Sequence, residues 1–149
     1  MQELKNQFKL RDVVKKYLAL VTGKIEPALG TIDKPIDRHP KNRKKFVVSD
    51  SGREAITDYR VKEYLGNLAS LVEAEPKTGR THQIRVHLSS RGYPIVGDKL
   101  YGGKSAPRMF LHAVYLEFTH PLTRKRIKFT SSLPEKLEAI LEKTKPSKK

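Results

Sequence analysis

The sequence predicts an α+β fold in which a mainly antiparallel, mixed sheet carries a few helices. Runs of alternating apolar and polar residues recur along the chain between turn residues, and helical spacing of apolar residues is confined to short segments. The chain has 149 residues, a length that fits one domain and not two well-packed ones. We therefore treat residues 1–142 as one folded unit, and we expect the basic tail at 143–149 to be disordered.

The first segment favours a helix and leads into a strand. Residues 1–12 place Leu4 and Phe8 at helical spacing, although so short a helix needs a packing surface from elsewhere. From Val13 to Val21 the residues alternate and are apolar on both faces, which is typical of a strand in the middle of a sheet. This strand is expected to end at Thr22-Gly23.

The next part of the chain predicts a loop followed by a hairpin. Residues 24–50 are interrupted by prolines and are expected to form a loop with short strands near 28–33 and 46–49. Residues 55–64 and 68–75 alternate again on either side of a Gly-Asn turn, which is the pattern of a β-hairpin.

The spacing of apolar residues becomes helical after this hairpin. Thr81 is predicted to cap a helix in which Ile84 and Leu88 lie four residues apart, and Gly92 is predicted to end it. Residues 93–107 are rich in glycine and proline and are expected to form an extended loop.

The last part of the chain predicts two strands and a helix. Residues 109–119 and 125–131 carry strand patterns on either side of a Pro-Leu-Thr turn. Ser132 and Glu135 have the spacing of a capping box, so a final helix is predicted to begin there. Its predicted apolar face consists of Leu137, Ile140 and Leu141.

Basic residues exceed acidic ones by a wide margin. The chain has 31 Lys and Arg residues against 16 Asp and Glu residues, which gives a net charge of +15. This excess favours nucleic acid as a partner over a membrane, because the chain has no long apolar run and no amphipathic basic helix. A solvated basic surface is the alternative. The residues predicted to contact RNA phosphates are Arg38, Lys41, Arg43, Lys44 and Lys45.

Several kinds of site are excluded by composition and spacing. The chain contains no Cys, so disulfide scaffolds, thiolate metal sites and cysteine nucleophiles are ruled out. His82 and His87 lie five residues apart, which does not align them as metal ligands on one helical turn. No metal is expected. Because no signal peptide is recognisable, a cytoplasmic location is expected.

Side chains that can bind a ligand or take part in catalysis are most concentrated in the segment TGRTHQIRVH, between Thr78 and His87. If it opens a helix, its free N–H groups favour a phosphate or a carboxylate, and a solvated basic helix start is the alternative. Arg85 stands apart because it lies between Ile84 and Val86. A guanidinium drawn toward a core is costly without an anion, so Arg85 should have a carboxylate or phosphate partner.

Six motifs occur in order along the chain: KYLALV at 16–21, PIDRHP at 35–40, TGRTHQIRVHL at 78–88, PIVGDKLYG at 94–102, LHA at 111–113 and FTHP at 118–121. In this order they resemble the RluA-type pseudouridine synthases over about residues 8–141. The TGRTHQIR segment is the most specific of them. The resemblance implies that the folded unit is the C-terminal part of a pseudouridine synthase catalytic domain.

The resemblance implies isomerisation of uridine to pseudouridine in ribosomal or transfer RNA, without a metal or an organic cofactor. In that family an Asp attacks the target nucleotide, the glycosidic bond breaks, and the uracil turns and rejoins the ribose through C5. Arg85 matches the Arg that pairs with this Asp. Tyr17 matches the Tyr that contacts the uracil and takes the C5 proton, although the residue pattern alone favours a core tyrosine at this position.

Further substrate contacts are implied by the same motifs. Leu111 matches an apolar residue that lines the uracil pocket. Arg80, His82 and Gln83 match residues that hold the turn and the RNA. The target base must leave its stack to reach such a pocket, which costs least in loops and bulges.

One part of the family pattern is not found in this sequence. The attacking Asp of the family lies in an H-R-L-D segment upstream of the Tyr17 position, and no Asp of this chain follows an Arg-Leu pair. We therefore expect a truncated or split form that is inactive alone and lacks an N-terminal half. A non-catalytic RNA-binding module derived from the fold is the alternative, and an enzyme completed by a separate chain is a third reading.

The same reasoning predicts an incompletely covered first strand. If neighbouring strands are missing, the open sheet edge is expected to pair with a second copy, so self-association is expected. Arg85 is then expected to take a substitute anion, such as Asp98 or an RNA phosphate.

Overall fold

The structure, a computed structural model, describes residues 12–146. The predicted N-terminal helix and residues 147–149 of the predicted tail lie outside this part of the chain. The strands are β1 (Val14–Thr22), β2 (Leu29–Asp33), β3 (Ile36–Arg38), β4 (Phe46–Val48), β5 (Ile56–Leu65), β6 (Ala69–Pro76), β7 (Leu111–Thr119) and β8 (Arg126–Thr130). The helices are α1 (Gln83–Ser90) and α2 (Glu135–Thr144).

Six of the strands form one sheet in the order β2-β5-β6-β1-β7-β8. Every pairing in this sheet is antiparallel. The predicted α+β class and antiparallel sheet are confirmed, because each long alternating run of the sequence forms a strand. The hairpin predicted around the Gly-Asn turn is β5–β6. Strands β3 and β4 pair with each other in a separate two-stranded sheet.

Strand β1 lies in the middle of the large sheet, as its two apolar faces predict. It pairs with β6 on one side and with β7 on the other. The expectation of an open edge on this strand is therefore wrong, because strands that come later in the chain occupy both of its sides. The outer strands of the described sheet are β2 and β8.

Two hydrophobic cores position the elements around the N-terminus of α1. The main core packs the central strands against both helices, with Leu88 of α1 and Leu137 of α2 fully buried in it. A smaller core joins Ile36 of β3 to Val86 of α1 and to Tyr101. The β3–β4 hairpin is thereby attached to α1 and not to the large sheet.

The starts of both helices differ from the capping patterns in the sequence. His82, and not Thr81, precedes α1, with φ 56°, and no side chain caps the helix. Pro134 precedes α2 in an extended conformation, so the capping box proposed from Ser132 and Glu135 does not form. Before α1, the Gln83 side chain accepts hydrogen bonds from the Thr78 hydroxyl and the Arg80 N–H. At the start of α2, the Pro134 carbonyl accepts hydrogen bonds from the N–H groups of Leu137 and Glu138.

Helix α2 is longer than the sequence predicts, and both helices are short. Helix α2 continues to Thr144, two residues beyond the boundary predicted for the folded unit. Neither helix within residues 12–146 has the length or apolar content needed to cross a bilayer.

Candidate active site

A cavity of about 300 Å³ opens between β1 and the N-terminus of α1. Its walls bring together the six residues that the sequence predicted for catalysis and substrate binding: Tyr17, Arg80, His82, Gln83, Arg85 and Leu111. Lys15, Thr78 and Gly79 also line it. Residues that lie far apart in the sequence thus meet in one cavity, since β1, β7 and the turn before α1 are neighbours in the fold.

Tyr17 and Leu111 reach the cavity from the sheet. Tyr17 lies opposite Ala74 of β6 and Ala113 of β7, next to a bulge that separates it from Lys16 in the β1–β7 pairing. Leu111 is the first residue of β7. Within residues 12–146 the Tyr17 hydroxyl has no hydrogen-bond partner, so it is available to a bound molecule.

The turn before α1 is held by the buried side chain of Gln83. Its Oε1 accepts the Thr78 hydroxyl at 2.6 Å and the Arg80 N–H at 3.0 Å. Its Nε2 donates to the Ile56 carbonyl at 2.8 Å and to Thr57 Oγ1 at 2.9 Å. The amide of Gln83 is therefore committed to shaping the turn between β6 and α1.

Arg80 is anchored by the same turn. Its Nε donates to the backbone carbonyl of Glu54 at 2.7 Å, which holds the guanidinium beside the cavity. A cation at this position adds to the charge of Arg85 and of Lys15, whose pKa is lowered by burial.

Arg85 has the anionic partner that the sequence requires. Its Nε and Nη2 donate to the two carboxylate oxygens of Asp98 at 2.9 Å and 3.0 Å. The Asp98 side chain is 1% exposed and that of Arg85 is 18% exposed, so the pair is largely withdrawn from solvent. The hydrogen bond to Asp98 raises the pKa of Arg85. Asp98 is thus a partner of Arg85 and has no free carboxylate oxygen pointing into the cavity.

His82 lies at the rim of the cavity in a left-handed backbone conformation, with φ 56°. Its Nδ1 is hydrogen-bonded to the Tyr101 hydroxyl at 2.8 Å. Burial lowers the pKa of His82, and the neighbouring Arg85 guanidinium lowers it further. The imidazole is therefore neutral near pH 7, and the hydrogen bond to Tyr101 leaves its other nitrogen, Nε2, without a partner among residues 12–146.

The lining of the cavity is basic. It includes Lys15, Arg80 and Arg85, and none of its residues is an Asp or a Glu. A phosphate or another anion is favoured in such a site, and no lining side chain can act as an attacking carboxylate.

The residues predicted to bind RNA phosphates lie outside this cavity, on the β3–β4 hairpin. Arg38 ends β3, and the loop that follows carries the exposed cations Lys41, Arg43 and Lys44. Arg38 donates to the Arg43 carbonyl at 2.9 Å, which closes the loop. Lys45 is half-buried and points its ammonium over the Tyr101 ring, 5.6 Å from the centroid. The hairpin is a second basic surface beside the site.

A second cavity, of about 480 Å³, lies on strands β2, β5 and β6. Its carboxylates already have partners, since Asp58 accepts the Thr31 hydroxyl and Glu73 pairs with Arg60. Within residues 12–146 no cluster of His, Asp and Glu side chains is arranged to hold a metal ion.

Comparison with known proteins identifies the family. The model of the RNA pseudouridylate synthase family matches residues 1–90, which include strands β1 to β6 and the whole of α1. The chain belongs to the RNA pseudouridylate synthase family. An RNA pseudouridine synthase of Chloroflexus aurantiacus is 46% identical over 145 residues, and ribosomal large subunit pseudouridine synthase D of Xanthomonas campestris is 42% identical over 154 residues.

The matches cover almost all of this chain but only part of its relatives. They include 95% and 93% of the chain, against 45% and 46% of these two relatives. The chain therefore spans about half the length of the curated relatives it matches. The solved structure of human RNA pseudouridylate synthase domain containing 1 has a TM-score of 0.75 at 31% identity, and covers 94% of this chain and 69% of its own.

Some residues in and beneath the candidate site were not found by sequence reasoning. Lys15 lies two residues before Tyr17, so the period of two in β1 places it on the same face of the sheet. Thr57 and His87 are buried beneath the turn, 30 residues apart in sequence, and no local pattern joins them. Asp98 was considered only as a substitute anion, and it is the partner of Arg85.

Proposed function

We propose that this chain provides the uridine pocket and an RNA-binding surface of a pseudouridine synthase that modifies ribosomal or transfer RNA in the cytoplasm. The observation that carries the proposal is the meeting of Tyr17, Arg85 and Leu111 in one basic cavity. Its volume of about 300 Å³ lies at the lower end of the range of small-molecule sites, as one nucleotide requires.

The reaction that we propose is an isomerisation, in which substrate and product have the same atoms and no cofactor is needed. A carboxylate attacks the target nucleotide and bonds to it, the bond between N1 and C1′ breaks, and the carboxylate is released as a new bond forms between C5 and C1′. The C5 proton leaves, and N1 carries a proton in the product. The Tyr17 hydroxyl is the proposed acceptor of the C5 proton, because it lines the cavity and has no partner among the described residues.

The other cavity residues would hold the flipped nucleotide. Leu111 offers an apolar contact to the uracil ring, and His82 offers Nε2–H to an oxygen of the nucleotide. Arg80 and Lys15 place positive charge where the phosphates of the RNA would lie. The base must be extruded from its stack to reach these groups, so loops and bulges are the expected targets.

We further propose that the nucleophile is not supplied by this chain alone. Asp98 is bound on both oxygens by Arg85, and no lining residue carries a carboxylate. A truncated or split form that needs the Asp-bearing half of a catalytic domain fits these facts. The isolated chain should then bind RNA and form no pseudouridine.

The experiment compares the chain alone with the chain mixed with the N-terminal half of a relative such as the Chloroflexus protein. Pseudouridine is measured in a ribosomal RNA transcript by pseudouridine-specific chemistry. We expect no product from the chain alone, product from the mixture, and loss of that product with Tyr17→Phe. Tyr64→Phe, which removes a hydroxyl bonded to the Ile25 carbonyl away from the cavity, should leave the product unchanged.

The rival candidate is an RNA-binding module without catalysis. It is favoured by the basic hairpin, which stands apart from the cavity and is sufficient for phosphate contacts. The same mixture decides between the two, because a binding module would retain RNA and form no product even with the Asp-bearing half present. Product from the chain alone would show that a nucleophile within it has been overlooked.

A further inference from the structure

Tyr101 occupies the place where the basic hairpin, helix α1 and the cavity meet. Its side chain is 8% exposed and packs in the small core with Ile36 of β3 and Val86 of α1. Its backbone carbonyl accepts the Ser89 hydroxyl of α1 at 3.1 Å. The ring is therefore held in a defined position relative to all three parts.

The Tyr101 hydroxyl joins the hairpin to the cavity rim through two hydrogen bonds. It accepts the backbone N–H of Phe46, in β4, at 2.9 Å, and it is bonded to His82 Nδ1 at 2.8 Å. Because the amide can only donate, the hydroxyl's own hydrogen is available to His82. If the hydroxyl donates that hydrogen, Nδ1 accepts it and the neutral imidazole carries its proton on Nε2.

The Tyr101 ring is also a meeting point for cations. The Arg85 guanidinium lies 5.0 Å from the ring centroid and the Lys45 ammonium lies 5.6 Å from it. One of these cations belongs to the cavity and the other to the hairpin. Both distances are within the range of cation–π attraction, so a shift of Lys45 toward a phosphate changes the surroundings of the ring that Arg85 also contacts.

His82 is held by these contacts in a backbone conformation that few residues other than glycine adopt. A left-handed backbone is sterically disfavoured for a residue other than glycine, and His82 adopts it with φ 56°. Such a conformation persists where the surroundings determine it. Here they are the Tyr101 hydrogen bond and edge-on contacts with the rings of Phe46 and Tyr101, at 5.5 Å and 5.7 Å between centroids.

We propose that Tyr101 is a positioning residue that couples the basic hairpin to the cavity, so that RNA held by the hairpin sets the orientation of the His82 imidazole beside the target nucleotide. The proposal rests on the proposed function, because it requires RNA to engage the hairpin. It assigns to Tyr101 no contact with the RNA. Its effect passes through the hydroxyl to Phe46 on one side and to His82 on the other.

The test removes the hydroxyl and keeps the ring. The full chain with labelled histidine is titrated with a uridine-containing RNA stem-loop, and the imidazole resonances of His82, assigned by their loss in His82→Gln, are followed by NMR. In the wild type we expect RNA to shift these resonances. In Tyr101→Phe we expect RNA to bind as tightly, because the hairpin cations remain, and we expect the His82 shift to be lost.

A second readout separates this role from simple packing. A hydrogen bond donated by Tyr101 to Nδ1 stabilises the neutral imidazole, so Tyr101→Phe should raise the pKa of His82 in the free protein. Tyr64→Phe is the matched control, since it removes a tyrosine hydroxyl that is bonded elsewhere. It should leave both the His82 pKa and the RNA response unchanged.

Three results would overturn the proposal. The first is a His82 shift that persists in Tyr101→Phe. The second is RNA binding to the wild type without any His82 shift. In both cases the coupling is contradicted and the proposed function still stands. If RNA does not bind at all, the proposed function fails and the coupling fails with it. Should Tyr101→Phe not fold, the triple variant Lys41→Ala, Arg43→Ala, Lys44→Ala decides: a His82 shift that persists at saturating RNA contradicts coupling through the hairpin.

Discussion

Arg85 illustrates how far a single residue can be understood from its neighbours in sequence. Its position between Ile84 and Val86 predicts an anionic partner, and Asp98 provides one through two hydrogen bonds. The sequence named Asp98 only as one of several substitute anions, because Asp98 lies 13 residues away within a glycine-rich loop whose path no periodic pattern describes. The residue type and its apolar neighbours indicate that Arg85 requires an anion, and the tertiary fold determines that this anion is Asp98.

This pair gives a stability prediction. Asp98→Asn removes the negative charge and leaves the Arg85 guanidinium poorly compensated in a mostly buried place, which should lower the free energy of unfolding by about 3 kcal/mol. Urea denaturation followed by circular dichroism measures it. Asp50→Asn changes an exposed Asp and should have almost no effect. Equal stability of the two variants would contradict the importance assigned to the pair.

His87 gives a second prediction, on pH. It is fully buried, and Thr57, which already accepts a hydrogen bond from Gln83, can donate its hydroxyl hydrogen to His87 Nδ1 at 2.8 Å. Nε2–H then donates to the Lys34 carbonyl at 2.9 Å, so the neutral form is the satisfied one. Burial lowers the pKa of His87 from the ordinary 6.5.

The sign of the pH effect follows from that lowered pKa. Below pH 6.5 the unfolded chain takes up a proton at this position before the folded chain does, so stability falls as the pH decreases through this window. Urea denaturation between pH 5 and 8 should show a smaller decrease for His87→Gln than for the wild type, since glutamine does not titrate. Parallel pH profiles of the two proteins would refute a neutral buried His87.

At the scale of secondary-structure elements, long alternating runs were sufficient to predict the strands, whereas short capping patterns did not predict the helix starts. Strands β1, β5, β6 and β7 match their predicted segments within about two residues, because one buried face determines an alternating pattern over many positions. Strand β3 was missed, although the equally short β4 was predicted near residues 46–49, because the three residues of β3 carry no period and stand between prolines at 35 and 40. The capping patterns failed because Gln83 and Pro134 offered the backbone other ways to satisfy the same groups.

The glycine-rich loop after α1 offers a comparison of two matched substitutions. Gly97 and Gly102 both have φ +85°, so alanine at either is strained. A Cβ at Gly102 meets nothing within 4 Å, whereas at Gly97 it would overlap the carbonyl of Arg108. We expect Gly102→Ala to cost about 1–2 kcal/mol of stability and Gly97→Ala to cost clearly more, because Gly97 precedes Asp98 and any shift there disturbs the Arg85 pair.

Thermal unfolding of these two variants, measured side by side, tests this account of the loop. The strain of the backbone is common to both proteins, so the difference between them isolates the contact with Arg108. Gly97→Ala should also weaken RNA binding, since the Arg85 guanidinium lines the cavity. Two variants of equal stability would mean that the backbone at 108 relaxes freely.

For the whole molecule, the sequence predicted the central place of β1 but not its neighbours. Pairing of β1 with β6 and β7 removes the reason for self-association through this strand. The outer strand β8 carries Arg126 and Lys128, and like charges oppose edge-to-edge pairing of two copies. Sedimentation at low salt should therefore show a monomer, and a dimer under these conditions would direct attention to the exposed ring of Phe129.

The net charge of +15 belongs to the whole chain, and the distribution of the charged side chains determines where an RNA phosphate would bind. Arg85, Arg126 and Arg60 are paired with carboxylates, so their charges are partly compensated within the protein. The loop of the β3–β4 hairpin has three exposed cations, Lys41, Arg43 and Lys44, and its acidic neighbour Asp37 accepts hydrogen bonds from Arg38 N–H and Ser51. The hairpin is therefore where phosphate contacts should concentrate.

RNA binding should accordingly depend steeply on salt, and the hairpin should account for much of the slope. Because each phosphate contact releases counterions, replacing Lys41, Arg43 and Lys44 with alanine should weaken binding and reduce the slope of log K against log salt by about 2 for single-stranded RNA. Titrations at several ionic strengths measure both quantities. The control variant replaces Lys125, Lys128 and Lys136, which are exposed on β8, its preceding turn and α2. It removes the same charge from the molecule, so equal losses in the two variants would mean that net charge alone, and not the hairpin, attracts the RNA.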